Sequence, residues 1–159
     1  MEFCKSLGIF AADGGLVYPI KRNGILPFQL CSEAQQISII RELAGVWPFL
    51  NDEFIRKNWP GGNDVFYVST DSISNNVIGC VAVDRINFLP TISNLFVCPA
   101  FRKRGKATQL LEHAEIFIDI LGFNSVSLWC DSELVDFYLK HGFIKGGVLN
   151  GKIIMKKEI

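Results

Sequence analysis

The stretch from Thr91 to Cys130 constrains the fold more than any other part of this chain. It opens with TISNLFV, rich in the β-branched and aromatic residues that suit a pleated, half-buried surface. It closes with SVSLWC, an apolar run of the buried-strand type. Between them, from Gly105 to Leu121, Leu110, Leu111, Ala114, Phe117, Ile118 and Leu121 share one helical stripe, while Lys106, Gln109, Glu112, Glu115 and Asp119 face away. Gly122 ends that helix. A strand, a helix and a second strand in this order require a parallel pair joined by a right-handed crossover.

Ahead of this unit, DVFYVST and NVIGCVAVD join TISNLFV in a run of strands separated by Ser/Asn and Asn/Pro turn material, which reads as an antiparallel meander. The sheet is therefore mixed and mostly antiparallel. A short strand, FQLC, is expected from Phe28, followed by a helix that Ser32-Glu33 opens and that turns Ile37, Ile40, Leu43 and Ala44 inward. A shorter helix is expected from Asp52 to Asn58, stopped by the turn Pro60 to Asn63. Past Cys130, Leu134, Phe137, Tyr138 and His141 repeat at helical spacing up to Gly142, and a last strand covers Lys152 to Lys156. The class is α+β, one mixed sheet with helices on both faces. Residues 28–159 read as one domain, since 159 residues is an ordinary domain length. Residues 1–27 read as an N-terminal extension in which Asp13-Gly14-Gly15, between GIFAA and LVYPI, suits a hairpin, with a second turn at Lys21 to Gly24.

Sixteen basic and sixteen acidic side chains cancel, which argues against nucleic acid or an anionic membrane as partner, because both demand a clearly basic face. No apolar run approaches the roughly 18 to 20 residues of a membrane-spanning helix. The opening MEFCKSLGIF lacks the apolar core of a secretory signal. Cys4, Cys31, Cys80, Cys98 and Cys130 are odd in number, scattered and without a C-x-x-C, so neither a zinc site nor a disulfide framework is expected. Free thiols of this kind fit a reducing, cytoplasmic setting.

Chemistry concentrates at the junction of strand and helix, Val97-Cys98-Pro99-Ala100-Phe101-Arg102-Lys103-Arg104-Gly105-Lys106-Ala107-Thr108. Cations at a helix start oppose the macrodipole, so a chain selected for stability alone would place Asp, Glu, Ser or Thr there. Orphan N–H groups, the positive end of the dipole and the charges of Arg102, Lys103, Arg104 and Lys106 suit a phosphate or pyrophosphate, and Gly105 lets backbone approach it closely. A solvated basic turn is the competing reading. Neither the G-x-x-x-x-G-K-[ST] loop nor the dinucleotide G-x-G-x-x-G is present.

Val97, Pro99, Phe101, Arg102, Gly105 and Ala107 match the pattern V-x-P-x-[YF]-[RQ]-x-x-G-x-[GA], and Phe137-Tyr138-Leu139-Lys140-His141-Gly142-Phe143 matches F-Y-x-x-x-G-F. In this order, with a helix and a strand between them, the two motifs resemble the GCN5-related N-acetyltransferases over roughly residues 28 to 157. The resemblance implies acetyl-CoA as cosubstrate and an amine as acceptor. It implies that backbone N–H groups from Lys103 to Thr108 cradle the CoA pyrophosphate. Asn94 to Val97 would splay from Ser125 to Cys130, so that Leu95, Phe96 and Val97 face the pantetheine arm. Tyr138 matches the family's general acid, which protonates the departing thiolate; a core tyrosine is the other reading of that residue. Many relatives carry a glutamate where this chain has Ser93, beside Asn94. Asp131, just past the strand end, occupies a site where relatives carry Asn or Asp, and is taken as the candidate carboxylate; Asp84 is a second.

The function expected is transfer of an acetyl group from acetyl-CoA to a primary amine by direct attack, without metal, by a monomer or homodimer. The amine could belong to a protein N-terminus or lysine, an amino sugar or a small molecule. The alternative is a non-catalytic acyl-CoA-binding regulatory module.

Overall fold

The structure is a computed structural model that describes residues 10–11, 17–18, 23–47, 65–84 and 89–159. Phe10–Ala11 (β1) pairs antiparallel with Val17–Tyr18 (β2) as a separate ribbon. The expected Asp13-Gly14-Gly15 turn, the helix at Asp52 to Asn58 and the turn at Pro60 to Asn63 lie outside the described residues.

The remaining strands are β3 (Ile25–Pro27), β4 (Val65–Thr70), β5 (Val77–Asp84), β6 (Thr91–Val97), β7 (Ser125–Cys130), β8 (Ile144–Leu149) and β9 (Lys152–Glu158). They form one seven-stranded sheet in the order β3-β4-β5-β6-β7-β9-β8. Every neighbouring pair is antiparallel except β6 and β7, which are parallel across the helical crossover. Helix α1 (Glu33–Val46) packs on one face of the sheet. Helices α2 (Lys106–Ile120) and α3 (Val135–Lys140) pack on the other.

The central strands are apolar along their whole length because both sides are covered. On β4, Val65 and Tyr67 face the α2 core while Phe66 and Val68 face the α1 core; on β5, Val81 and Val83 oppose Cys80 and Ala82 in the same way. Gly79 is required where β5 meets β6, since a Cβ there would stand 2.2 Å from the Phe96 carbonyl oxygen.

Several expectations are corrected. The strand expected at FQLC lies earlier, at Ile25–Pro27, so the sheet begins ahead of residue 28; Phe28–Leu30 is a 3-10 turn closed by Cys31 N–H on Phe28 O at 3.1 Å. Proline lacks a donor to continue a ladder, and its fixed φ leads into the turn. Helix α1 carries a full Ser32/Gln35 capping box, but Ile39 rather than Ile37 joins Ile40 and Leu43 in the core, and Ile37 is exposed. Glu115, expected to face away, is mostly buried and lies 2.8 Å from Lys157 Nζ on β9. Strand β8 was not foreseen; its IKGGVL sequence is exposed throughout, and Asn150-Gly151, both at positive φ, turns it into β9.

Candidate active site

The centre of the site is a change of register within β6. Gly79 pairs with Val97 and Cys80 with Phe96, but Ala82 pairs with Ser93, so β6 carries one extra residue. Asn94 takes it up at φ 52°, and its carbonyl accepts a hydrogen bond from Cys80 Sγ at 3.3 Å. A bulge of this kind reverses which side chains face which side. Ile92 and, beyond the bulge, Leu95 and Val97 turn to the α2 core, while Phe96 turns to the α1 core.

Strand β6 pairs with β7 only at Thr91–Ser127 and Ile92–Leu128. Past Ile92 the two parallel strands part, and α3 with Leu134 closes one side of the opening. The resulting cleft, about 360 Å³, is lined by Leu95, Phe96, Val97, Leu134, Phe137 and Tyr138, together with Arg102 and Ala107.

At one end this cleft runs into a second, about 260 Å³, under the N-terminus of α2; Val97, Arg102, Ala107 and Phe137 line both. Lys103 at φ 63° and Gly105 at φ 73° wind the loop into the helix. Left-handed residues in a turn can aim successive N–H donors into a concave row. Gly105 caps α2 without any side-chain bond, the first turn holds no acid, and the first intrahelical bond is Gln109 N–H to Gly105 O at 3.1 Å. Lys106, Ala107 and Thr108 therefore keep the orphan N–H groups of a helix start. A Cβ at Gly105 would meet nothing within 4 Å. The loop is thus open to an anion.

Arg102 turns back to the strand, with Nε donating to Val97 O at 2.9 Å and the guanidinium 5.5 Å from the centre of the Phe96 ring. Arg104 lies over Phe101 at 5.9 Å and is not on the wall of the cleft.

At the other end lies a third, polar cavity of about 290 Å³, reached past Leu95, Leu134 and Tyr138, which line both spaces. Ser93, Asn94, Asp131, Lys152, Trp47 and Trp129 contribute to its wall. Asp131 accepts a hydrogen bond from Lys152 Nζ, forming an exposed ion pair. Ser93 Oγ donates to Asp84 Oδ2 at 2.5 Å and lies 3.2 Å from Asn94 Oδ1.

Tyr138 is buried against Phe137 and Phe143, with ring centres 5.0 and 5.6 Å away. Burial, with a smaller contribution from Cys130, pushes its hydroxyl up to about 12. The Cys130 thiol in the same cavity is also pushed up, by burial and by Asp131, against the opposing pull of Lys152.

The described residues thus bring Leu95, Phe96, Val97, Arg102, Lys103, Gly105, Lys106, Ala107, Thr108, Tyr138 and Asp131 onto one continuous trough. Sequence reasoning quoted Phe137 only as part of the F-Y-x-x-x-G-F motif, with no role in the site, and did not single out Trp47, Trp129 or the Ser93–Asp84 bond. That bond follows from β5–β6 register: Asp84 pairs with Thr91, so Ser93 is its diagonal neighbour on the same face.

Solved structures with the same fold are diverse in sequence. An aminoglycoside 6'-N-acetyltransferase complexed with coenzyme A matches with a TM-score of 0.71 at 17% identity, over 84% of this chain and 96% of that one. An aminoglycoside 6'-N-acetyltransferase from Enterococcus faecium gives 0.70 at 19%, over 84% and 96%. A GNAT family acetyltransferase from Elizabethkingia anophelis with acetyl-CoA bound gives 0.65 at 18%, over 87% and 100%. No curated protein sequence matches. The family model described as an acetyltransferase (GNAT) domain, however, matches residues 62–145, over half of the 159. That span includes the bulged strand, the basic loop, α2 and the Phe137-Tyr138 segment, and with the shared sheet it establishes that the chain belongs to the GNAT acetyltransferase family.

Proposed function

We propose that this protein is an acetyl-CoA-dependent N-acetyltransferase that delivers the acetyl group to a primary amine by direct attack. The observation that carries this reading is the seat of Tyr138, on the wall shared by the loop-side cleft and the polar cavity. A hydroxyl there stands between a place for a phosphorylated, extended ligand and a place for a small polar one.

The chain's own features fit acetyl-CoA. The orphan N–H groups at Lys106 to Thr108, the open space at Gly105 and the charges of Lys103 and Lys106 suit the pyrophosphate. Leu95 to Val97, parted from β7, offer backbone groups to the amides of the pantetheine arm. Arg102 steadies the end of that strand through Val97 O.

Bound acetyl-CoA supplies the reactive thioester. A backbone N–H of the Leu95–Val97 segment polarises its carbonyl oxygen, and the trough holds the amine in line for attack. Tyr138, protonated at neutral pH as any tyrosine is and pushed further up by burial, donates its O–H to the sulfur as the C–S bond breaks. Asp131, with Lys152, gives the outer cavity a polar wall for the acceptor. The structural neighbours named for aminoglycosides make amino sugars one class of amine to test, beside protein N-termini, lysines and small amines. A cytoplasmic setting is consistent with the buried free thiols of Cys31, Cys80, Cys98 and Cys130. No helix among the described residues is long and apolar enough to cross a membrane.

The test is release of free thiol from acetyl-CoA across a panel of these amines. Amine-dependent release is expected. Tight acetyl-CoA binding by calorimetry with no release for any amine would leave a non-catalytic acyl-CoA-binding module instead.

A further inference from the structure

We propose that Ser93, with Asp84 behind it, is the proton acceptor for the incoming amine; this rests on the N-acetyltransferase reading above. Ser93 is on the wall of the polar cavity, whose shared boundary with the thioester-side cleft is formed by Leu95, Leu134 and Tyr138. Its hydroxyl has a single hydrogen. At 2.5 Å from Asp84 Oδ2 that hydrogen is committed to a carboxylate, the stronger of the two acceptors within reach, the other being Asn94 Oδ1 at 3.2 Å. What Ser93 has left for the cavity is oxygen lone pairs. A serine held in this way receives N–H donors and has no hydrogen to offer an acceptor group, so the site selects an ammonium or amine over a carboxylate or phosphate.

The same arrangement moves a proton. An ammonium N–H in the cavity donates to Ser93 Oγ; that proton passes to Ser93 and the serine's own hydrogen passes to Asp84, which returns it to water, and the lone pair so freed on nitrogen then attacks the thioester carbon. The C–S bond breaks with its electron pair going to sulfur, which is protonated through Tyr138; the second amine proton replaces the one Tyr138 gave up. The products are the amide, a free thiol and one released proton. Ser93 touches the substrate, and Asp84 is a positioning residue that acts through it.

The other titratable groups on this cavity wall among the described residues are Cys130, Asp131, Tyr138 and Lys152. Asp131 is the competing carboxylate, ion-paired with Lys152, and the Asp131→Asn variant separates its contribution from that of Ser93 and Asp84.

The experiment uses the full chain and the primary alkyl amine of the panel that turns over best, with kcat/KM followed by thiol release from pH 6 to 10. Only the free base of such an amine attacks, so an unassisted reaction climbs with unit slope toward the amine's own pKa, about 10.4 for a lysine-like group. The wild type is expected to bend to a plateau well below that pH. Ser93→Ala and Asp84→Asn should each restore the unit slope and lower kcat/KM at pH 7 by about 10²-fold, with acetyl-CoA KM moving less than about threefold. The double variant should lose no more than either single one, and Asp84→Glu should recover part of the plateau. Circular dichroism confirms folding of each variant; Ser93→Ala removes one oxygen and keeps the test open if Asp84→Asn misfolds. Variant profiles that superimpose on the wild type, or a unit slope restored by Asp131→Asn alone, would overturn the proposal and leave the enzyme reading standing. Absence of amine-dependent thiol release by the wild type would overturn both.

Discussion

The Thr108 hydroxyl and Nε2 of His141 lie 2.9 Å apart, tying the first turn of α2 to the residue that closes α3. The other ring nitrogen, Nδ1, is 2.7 Å from Phe137 O. A carbonyl only accepts, so Nδ1 carries a hydrogen, and in the neutral ring Nε2 accepts from Thr108. One imidazole thereby spans from the start of α2, beside the basic loop, to the helix that carries Phe137 and Tyr138.

Replacing His141 with Phe keeps the ring contact with Phe137 and removes both hydrogen bonds. Acetyl-CoA affinity should weaken about three- to tenfold, the worth of one neutral hydrogen bond, with Thr108→Val losing a similar amount and the double variant little more. Calorimetry on folded protein reads this directly. Unchanged affinity in both single variants would reduce the link to a helix fastening.

Gly105→Val should fold, because a Cβ there meets open space. The left-handed backbone at φ 73° costs it about 1 to 2 kcal/mol in stability. The same open space is where the anion would rest, so acetyl-CoA affinity should fall far more than the thermal midpoint suggests. Intact affinity would remove the loop from the binding site.

Tyr138→Phe preserves packing against Phe137 and Phe143 and removes only the hydroxyl. Its kcat should drop by about 10²-fold while acetyl-CoA affinity moves less than about threefold. Normal turnover with a lower melting temperature would make it a core tyrosine.

Stability should decline at alkaline pH. Burial pushes Cys98 up to about 11, Cys31 and Tyr138 to about 12, and Cys80 and Tyr67 well above their ordinary values. In each case the folded state holds a proton that the unfolded chain releases first. The stabilisation is therefore complete below about pH 9 and is lost as pH rises through the folded values, with a slope near 1.4 kcal/mol per pH unit for each group in its window. Urea midpoints at pH 8, 10 and 11.5 should fall in that order.

The crossover unit was legible because each of its parts has one dominant periodicity: apolar runs in the strands, an unbroken stripe from Leu110 to Ile118 in α2. The basic loop was legible for the opposite reason, since Arg102 to Lys106 break the usual preference at a helix start. Strand β8 escaped notice because Gly146 and Gly147 dilute its strand character and no side chain on it is buried. Ile37 and Ile39 exchanged places because two isoleucines two positions apart leave the helical phase ambiguous by about half a turn. The Ser93–Asp84 bond and the Thr108–His141 bond depend on which residues meet across strands and helices, and no local pattern in the chain encodes that.

The parting of β6 from β7 puts the weakest seam of the sheet at its middle rather than its rim. Exposed rungs elsewhere invite other chains to pair with them, but here, past Ile92, β6 and β7 form no ladder with each other, and Phe137 and Tyr138 of α3 line the opening. A ligand bearing amides along its length fills such a gap as a substitute strand. With acetyl-CoA in that position, amide hydrogens of Leu95 to Val97 would pass from freely exchanging to protected. The folded state would gain RT ln(1 + [L]/Kd), about 2.7 kcal/mol at a hundredfold excess over Kd. The persistence of the protein against unfolding and proteolysis would then rise and fall with the supply of its own cosubstrate.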